Sequence, residues 1–599
     1  MKKKSTSRSA FFNLRVLIAA VFCLAGVAVA LFGMGAFSNV FAQTKGEKTN
    51  QDAPGTQTPD VARMVGPVRL DQDLRTLPYV APKKELEEEQ GPLPRYPRLR
   101  TDQTSKPSGY GAATTGLPNI QKLLKYLWRP TPTMPAPLLT FEGLGGDPEN
   151  TVPDSDGDVG LNHYVQSINR SIWILDKNGN SLSGPTSYDS FFAGLAGTPC
   201  SFNNVGDPFT LYDPIADRWL ISDLAFEEFP GNSFWECIGV SNTSNPVSGG
   251  WTLYALQVDP ANPTYLGDYP KFAMWNSGGS PAQNAYFLTV NLFPNNTTFS
   301  GVRVFALDRA SMLSGGPANT IAFTIPPAGL GASYSLLPAN LRNGNAPPMG
   351  EDEFLLAIDS SFNSAVAVTQ VKGWRFHVDF GTPANSTLGQ GANHSPNALI
   401  TVNSFVEIDT EAVPQKDSSQ KLNSLGDKLM TPVVYQNRNG TESLWAAHTV
   451  AENGATGISW YQFNVTGGNF PATPLQQQHW TNGNDGLWRW VPSIAVDTNG
   501  NTAIGYSVSS SSIYPGIRYG GRLATDPLNN LAQGEAIMFN GSSSTQTCPF
   551  VCERWGDYTM TTVDPADGTS FWHVNQYATG SDFSYWGSII GKFSFPVPT

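Results

Sequence analysis

Charge is scarce in this chain. Only 14% of its 599 residues are Asp, Glu, Lys or Arg, and the balance leans acidic, 49 against 37, for a net charge of −12. So few cations leave no basic stripe of the kind that tracks a phosphate backbone, which excludes nucleic-acid binding. Histidine is rarer still: His163, His377, His394, His448, His479 and His573 are scattered, and a lone His is more often structural than catalytic. There is no Gly-x-Ser-x-Gly elbow, no His-Glu-x-x-His pair and no phosphate-cradling loop ending in Lys-Ser/Thr, so serine-hydrolase, zincin and nucleotidase readings lack their chemistry. Long amphipathic helical patterns are hard to find as well, which argues against a helical protein.

Cysteine is also sparse, with five residues. Cys23 lies in an N-terminal segment that reads as an export signal. Met1 to Arg15 is basic without a carboxylate, Val16 to Phe37 is apolar, and Val40-Phe41-Ala42 offers a small-residue cleavage site before Gln43. The apolar run is long for a signal, so a retained single-span anchor is the alternative. Cleavage removes Lys2, Lys3, Lys4, Arg8 and Arg15 and takes the net charge to −17. Four cysteines then remain. An even number in an exported chain argues for disulfides, and the pairing that closes two local loops is Cys200–Cys237 with Cys548–Cys552. Zinc on Cys548-x3-Cys552 is the weaker reading, since no second Cys/His pair with ligand spacing lies nearby.

What the chain has in quantity is glycine (58), proline (46) and aromatics (11%). Residues 43–137 read as a Pro/Ser/Gly-rich disordered lead-in, with the charge run Glu85-Leu86-Glu87-Glu88-Glu89 and one short helix over Ile120–Trp128. From 138 to 599 the patterns are strand-like. Tyr164-Val165-Gln166-Ser167-Ile168, Val302-Arg303-Val304-Phe305 and Phe354-Leu355-Leu356-Ala357-Ile358 are examples. A Gly-Asp step recurs at their starts: Gly157-Asp158, Gly206-Asp207, Gly267-Asp268, Gly426-Asp427 and Gly556-Asp557. Gly350-Glu351-Asp352 and Trp490-Val491-Pro492-Ser493 fill the gaps. The spacing is that of propeller blades with loop insertions. The reading is an all-β protein, a β-propeller of seven blades, with six or eight as alternatives. A strand from Phe141 to Gly145 would complete the last blade. Turn aspartates Asp213, Asp497 and Asp564, in Asp-Pro and Asp-x-Asn-Gly settings, are expected to cap turn amides.

Several blocks extend this pattern. They include Gly206-Asp207-Pro208 with Tyr212-Asp213 and Ala216-Asp217-Arg218-Trp219, Gly267-Asp268-Tyr269-Pro270-Lys271, and Leu425-Gly426-Asp427-Lys428-Leu429-Met430. Ser493-Ile494-Ala495-Val496-Asp497, Ile517-Arg518-Tyr519-Gly520-Gly521-Arg522 and Arg554-Trp555-Gly556-Asp557-Tyr558 complete the set. Over residues 138–596 the chain resembles a family of large secreted bacterial β-propeller proteins without an assigned reaction. The resemblance implies fold and export and no activity. The chain departs from that pattern in showing no C-terminal adhesion or sorting module.

Three chemistries fit this frame. Asp158, Asp207, Asp268, Asp427 and Asp557 would converge at the mouth of a central channel, where a hard cation such as Ca2+ relieves their mutual repulsion. The plainer alternative has each aspartate accept backbone N–H bonds where its blade starts. Asp154-Ser155-Asp156-Gly157-Asp158 adds acid density nearby. Glycoside hydrolysis is the second: two carboxylates as acid and nucleophile or base, Arg218, Arg489, Arg518, Arg522 and Arg554 to pair an acidic sugar, and Tyr519 as a sialidase-type nucleophile. Against it, Arg beside Trp commonly stacks or pairs inside a sheet. The third is ligand binding without chemistry, on aromatics such as Tyr269, Trp275, Trp488, Trp490, Trp555 and Tyr558. The reading is a monomeric secreted or periplasmic protein, with a cell-surface position as a variant. It acts as a binding or structural module for a glycan or protein ligand, with a carbohydrate-active enzyme on the same face as the alternative.

Overall fold

The computed structural model describes residues 57–79, 134–145, 152–294, 298–327, 333–342, 345–408, 411–545, 554–580 and 586–596. The expected signal segment, the helix at Ile120–Trp128 and the Cys548–Cys552 pair lie outside these residues. Among the described residues the structure is all-β, and its two α-helices, Tyr188–Phe192 and Arg309–Leu313, have five residues each. Pairing within the sheets is antiparallel except at one parallel junction, and the sheets follow one another along the chain in a propeller-like succession.

Seven first strands mark this succession: Asp156–Val159, Asn204–Asp213, Tyr265–Gly278, Leu337–Leu341, Met430–Arg438, Trp488–Val496 and Met560–Val563. Each lies beside the next, and the last lies beside the first. The fourth and fifth groups are not separate. Leu337–Leu341 pairs in parallel with Met430–Arg438, Asn340 opposite Val434, and this joins them into one nine-stranded sheet. Strands packed on both sides are apolar on both faces. Val302–Asp308 is buried along six of its seven residues, which is why a simple alternation does not describe it. The aromatics fill the spaces between sheets. Phe209 meets Phe272, Trp275 meets Phe354, Trp480 meets Tyr506 and Tyr164 meets Trp572, at ring-centroid distances of 5.8, 5.9, 5.7 and 5.3 Å. Full burial of each such side chain contributes roughly 1.5–3 kcal/mol.

The last sheet borrows its outer strand from upstream. Leu139–Glu142 pairs with Trp586–Ser594, two residues earlier than the strand expected at Phe141–Gly145. The lead-in needs a larger correction. Asp60–Arg63 adds a fifth strand to the third sheet, and Val65–Leu70 adds one to the second. The unpaired edges of those sheets offer backbone partners that composition alone does not reveal. Met64 and Leu74, both buried, anchor the segment. Of the expected disulfides, Cys200–Cys237 is formed, with Cα atoms 5.5 Å apart.

Two local devices recur where the first strands begin. One is a bulge carrying proline. The register slips between Gly206 and Phe209, Asp268 and Lys271, Met430 and Val434, and Trp490 and Ser493. Pro208, Pro270, Pro432 and Pro492 fall in these slips, where a missing N–H costs the ladder nothing. The other is a residue with positive φ: Asp207 (54°), Tyr269 (59°), Ser335 (50°) and Val491 (44°). Its N–H turns away from its own sheet and is taken by a side chain of the preceding one. Asn169 accepts from Asp207 (2.9 Å), Asp207 from Tyr269 (3.0 Å), Asn291 from Ser335 (2.8 Å) and Thr449 from Val491 (3.1 Å). Gly206, at φ 139°, must be glycine, since a Cβ there would come within 2.9 Å of the Asn169 side chain.

At the far end of the first strands the turn aspartates behave as expected. Asp213 accepts from Ile215 and Ala216, Asp497 from Asn499 and Asn501, and Asp564 from Ala566. Two of them also reach the neighbouring sheet: Asp213 binds Arg309 at 2.7 Å, and Asp564 binds Lys177 at 2.6 Å.

Asn169 is buried and makes a bond on each arm, donating to Val152 O and Asp154 and accepting from Asp207. Asn169→Ala orphans buried groups on both sides of the junction. It is expected to lower unfolding free energy by about 2–4 kcal/mol, read from urea midpoints. A loss below about 1 kcal/mol would remove these bonds from the account of how the sheets are joined.

Candidate functional site

Two of the acids that meet are left-handed residues. Asp154 (φ 44°) precedes the first sheet, Asp207 sits in the first strand of the second, and Asp557 follows Gly556, whose φ of 145° matches that of Gly206. One carboxylate oxygen from each of Asp154, Asp207 and Asp557 lies within 4.8 Å of the others, and all three side chains are buried. Asp154 accepts from the Asp557 N–H at 2.6 Å and from Asn169 Nδ2 at 2.9 Å. Arg554 Nη2 lies 3.7 Å from Asp557 Oδ1. Burial holds the Asp207 carboxyl above the usual carboxylate range, the Asp154 charge adds to this, and Lys271 opposes it.

Lys271, which closes the Gly267–Lys271 block and carries no role in the sequence reading, lies beside these acids. It is 1% exposed. Its Nζ lies 3.9 Å from the centre of the Tyr269 ring and 3.8 Å from that of Tyr558, and donates to Pro270 O at 2.9 Å. Burial lowers its ammonium to about 8, against the pull of Asp207, Asp156, Asp154 and Asp268. Side chains from many sheets pack around it. Tyr558 donates to Pro208 O, Tyr269 reaches Met430 Sδ, and Arg342 spans from Met560 Sδ to Asp158. The acids therefore sit in a packed centre rather than around an open mouth.

Of the five acids expected to converge, Asp207 and Asp557 belong to the close cluster. Asp158 lies one turn further along the first strand. It pairs with Arg342 at 2.5 Å and accepts from Tyr212 and Val159. Aligning Gly157-Asp158 with Gly206-Asp207 put the wrong residue in register, and Asp154 occupies the equivalent place. Asp268 is buried beside Lys271 and precedes the left-handed residue, which here is Tyr269. Asp427 is a quarter exposed and pairs with Lys428 at 3.0 Å.

The arginines do not assemble into an anion clamp. Arg218 donates to Ala216 O and Asp217 O within its turn. Arg489 and Arg518 meet on Glu535 inside the sheet that Trp488–Val496 opens, and Arg489 also holds Asp485. Arg522 donates to Asp526 O. Tyr519 stacks on Phe593 with its hydroxyl on Pro135 O, which excludes it as an exposed nucleophile. Arg554 and Tyr558 alone of this group stand at the acid cluster. Tyr269, Trp275, Trp490, Trp555 and Tyr558 are buried core residues, not open platforms.

Another buried carboxyl, two strands away in the second sheet, feels the charges of Asp207 and Lys271. Glu236 is 0% exposed, and neither oxygen has a hydrogen-bond partner. Register puts it opposite Leu224, on the face that also carries Ser222 and Phe209, and Lys271 Nζ lies 5.9 Å over the Phe209 ring. Burial pushes Glu236 up to about 8, with the Asp207 charge adding and Ser222 and Lys271 opposing.

No family model matches this chain, and no curated protein matches it. Similar solved structures include a protein of unknown function from Dyadobacter fermentans. It is 10% identical, with a TM-score of 0.33, covering 65% of this chain and 95% of that one. The Trypanosoma rangeli sialidase is 9% identical, with a TM-score of 0.31, covering 65% of this chain and 55% of that one. An endo-arabinase from Bacteroides thetaiotaomicron is 12% identical, with a TM-score of 0.25, covering 56% of this chain and 99% of that one.

Unfolded Glu236 loses its proton near 4.5, whereas the folded group keeps it to about 8. Between those values the native state holds a proton that the unfolded state lacks, so stability falls as pH rises through this window. Glu236→Gln mimics the protonated form. Its melting temperature is expected to decline less than the wild type's between pH 5 and 8, by thermal melts across that range. Parallel curves for the two proteins would show that Glu236 does not titrate in this way.

Proposed function

We propose that the protein is an exported seven-bladed β-propeller, a binding or structural module whose centre is tied by a calcium ion on Asp154, Asp207 and Asp557. The carrying observation is that these three buried carboxylates, contributed from the first, second and last sheets, have oxygens within 4.8 Å of one another. A hard cation takes oxygen ligands and offsets like charge in this arrangement. Blade number is supported by the seven first strands, each beside the next, and by the strand Leu139–Glu142 that completes the last sheet. Export is supported by the Cys200–Cys237 bond, which persists in oxidising compartments; no described helix is long and apolar enough to cross a membrane.

The ligand of such a module would be a glycan or a protein met on the surface loops. A carbohydrate-active enzyme is the weaker reading, because the arginines and Tyr519 it would use are engaged inside sheets.

Calcium should stabilise the native state by mass action, about 2.7 kcal/mol at a hundredfold excess over its dissociation constant. The melting temperature of metal-stripped protein is expected to rise by several degrees on adding calcium and to fall again with chelator. Asp207→Asn keeps an acceptor for the Tyr269 N–H, so it should fold and lose the calcium shift. Metal analysis without a bound cation, together with melting curves that calcium leaves unmoved, would end the proposal.

A further inference from the structure

The cluster already has a positive charge built beside it. The Lys271 ammonium cannot swing away, because Tyr269 covers it from the third sheet and Tyr558 from the last, while Pro270 O fixes its direction. It makes no direct ion pair with the three aspartates, yet its charge acts on Asp207 and Asp154. The rings that cover it sit beside the acids, since the Tyr269 N–H donates to Asp207 at 3.0 Å and Tyr558 directly follows Asp557, so the ammonium stands close enough to repel a cation. Arg554, 3.7 Å from Asp557 Oδ1, adds a second positive charge on another side. Three carboxylates with two fixed cations around them bind a divalent ion far less tightly than three carboxylates alone, since charge–charge terms in a buried setting are weakly screened.

We propose that Lys271 is the affinity-setting residue of this centre, an internal competitor that keeps divalent-cation binding weak. This rests on the reading of Asp154, Asp207 and Asp557 as a cation site. Lys271 is a positioning and charge-setting group rather than a ligand. Its role differs from that of a plain structural counter-ion, whose loss would weaken the fold and leave calcium affinity where it was.

The test titrates calcium into the full metal-stripped chain and into Lys271→Met, by calorimetry and by melting temperature. Lys271→Met is expected to bind calcium at least ~10-fold more tightly than the wild type. Lys271→Arg, which keeps the charge, should gain no affinity. Wild-type binding that Lys271→Met leaves unchanged or weakens overturns the role of Lys271 while preserving the cation site. Binding by Lys271→Met alone supports Lys271 as competitor and removes calcium as a resident ion of the wild type. No binding by either protein overturns both readings. Where Lys271→Met fails to fold without metal, folding restored by calcium supports the proposal, and failure in calcium overturns it.

Discussion

The structure depends on one backbone problem and its repeated solution. At the starts of four first strands a backbone N–H is turned out of its own ladder, at three of them beside a bulge, and a buried N–H left alone costs about as much as a lost hydrogen bond. The preceding sheet supplies the acceptor: Asn169 for Asp207, Asp207 for Tyr269, Asn291 for Ser335, Thr449 for Val491. The same bond thus satisfies the turn and fixes the spacing between two sheets. Between the first and last sheets a related bond runs the other way, the Asp557 N–H of the last donating to Asp154 ahead of the first. Burial of aromatics between sheets provides non-directional attraction, and these short polar contacts set which residues face which.

The centre of the molecule holds more acid than a core tolerates without compensation, and three kinds of compensation occur side by side. Asp156 accepts from two backbone N–H groups, Gly157 and Thr210, and burial still lifts it to about 6. Asp158 takes a guanidinium, Arg342. Glu236 keeps its own proton. The same third device appears away from the centre, where burial and the neighbouring Glu442 lift Glu351 to about 9. A buried carboxyl here is neutralised by whichever partner its backbone position places within reach.

Much of the fold was legible in the sequence because it rests on local patterns. Strand alternation and the Asp-rich turns at Asp213, Asp497 and Asp564 follow from short-range chemistry, while the upstream strand that completes the last sheet follows from counting repeats, which leaves that sheet short of a strand. The two N-terminal strands were not legible, because their pairing is decided by edges about 190 and 260 residues away in the chain. The site was half legible. The Gly-Asp step identified Asp207 and Asp557, where Gly206 and Gly556 share a backbone conformation, φ 139° and 145°. It misplaced the first and third members, because what recurs is a left-handed residue, and that residue is Asp154 in one case and Tyr269 in another. The X-Pro pairs at 207–208, 269–270 and 491–492 carried the true register. Lys271 follows one of them, yet its sequence neighbours say nothing of the acids that surround it.

The choice of side chain at these junctions separates structural need from something more. Holding a turned-out N–H requires only a short acceptor, and Asn169, Asn291 and Thr449 do it without charge. At 154 and 207 the chain uses a full carboxylate for the same bond, in a buried place where Asp557 adds a third. An amide there would satisfy the backbone and avoid the desolvation cost of the ion. The excess charge is therefore not explained by the joining of sheets. It is matched in kind by Lys271, which is itself buried at a cost and held by two tyrosine rings from different sheets. Charges of both signs gathered where apolar or amide side chains would suffice are what the proposed cation site accounts for and the joining of sheets does not.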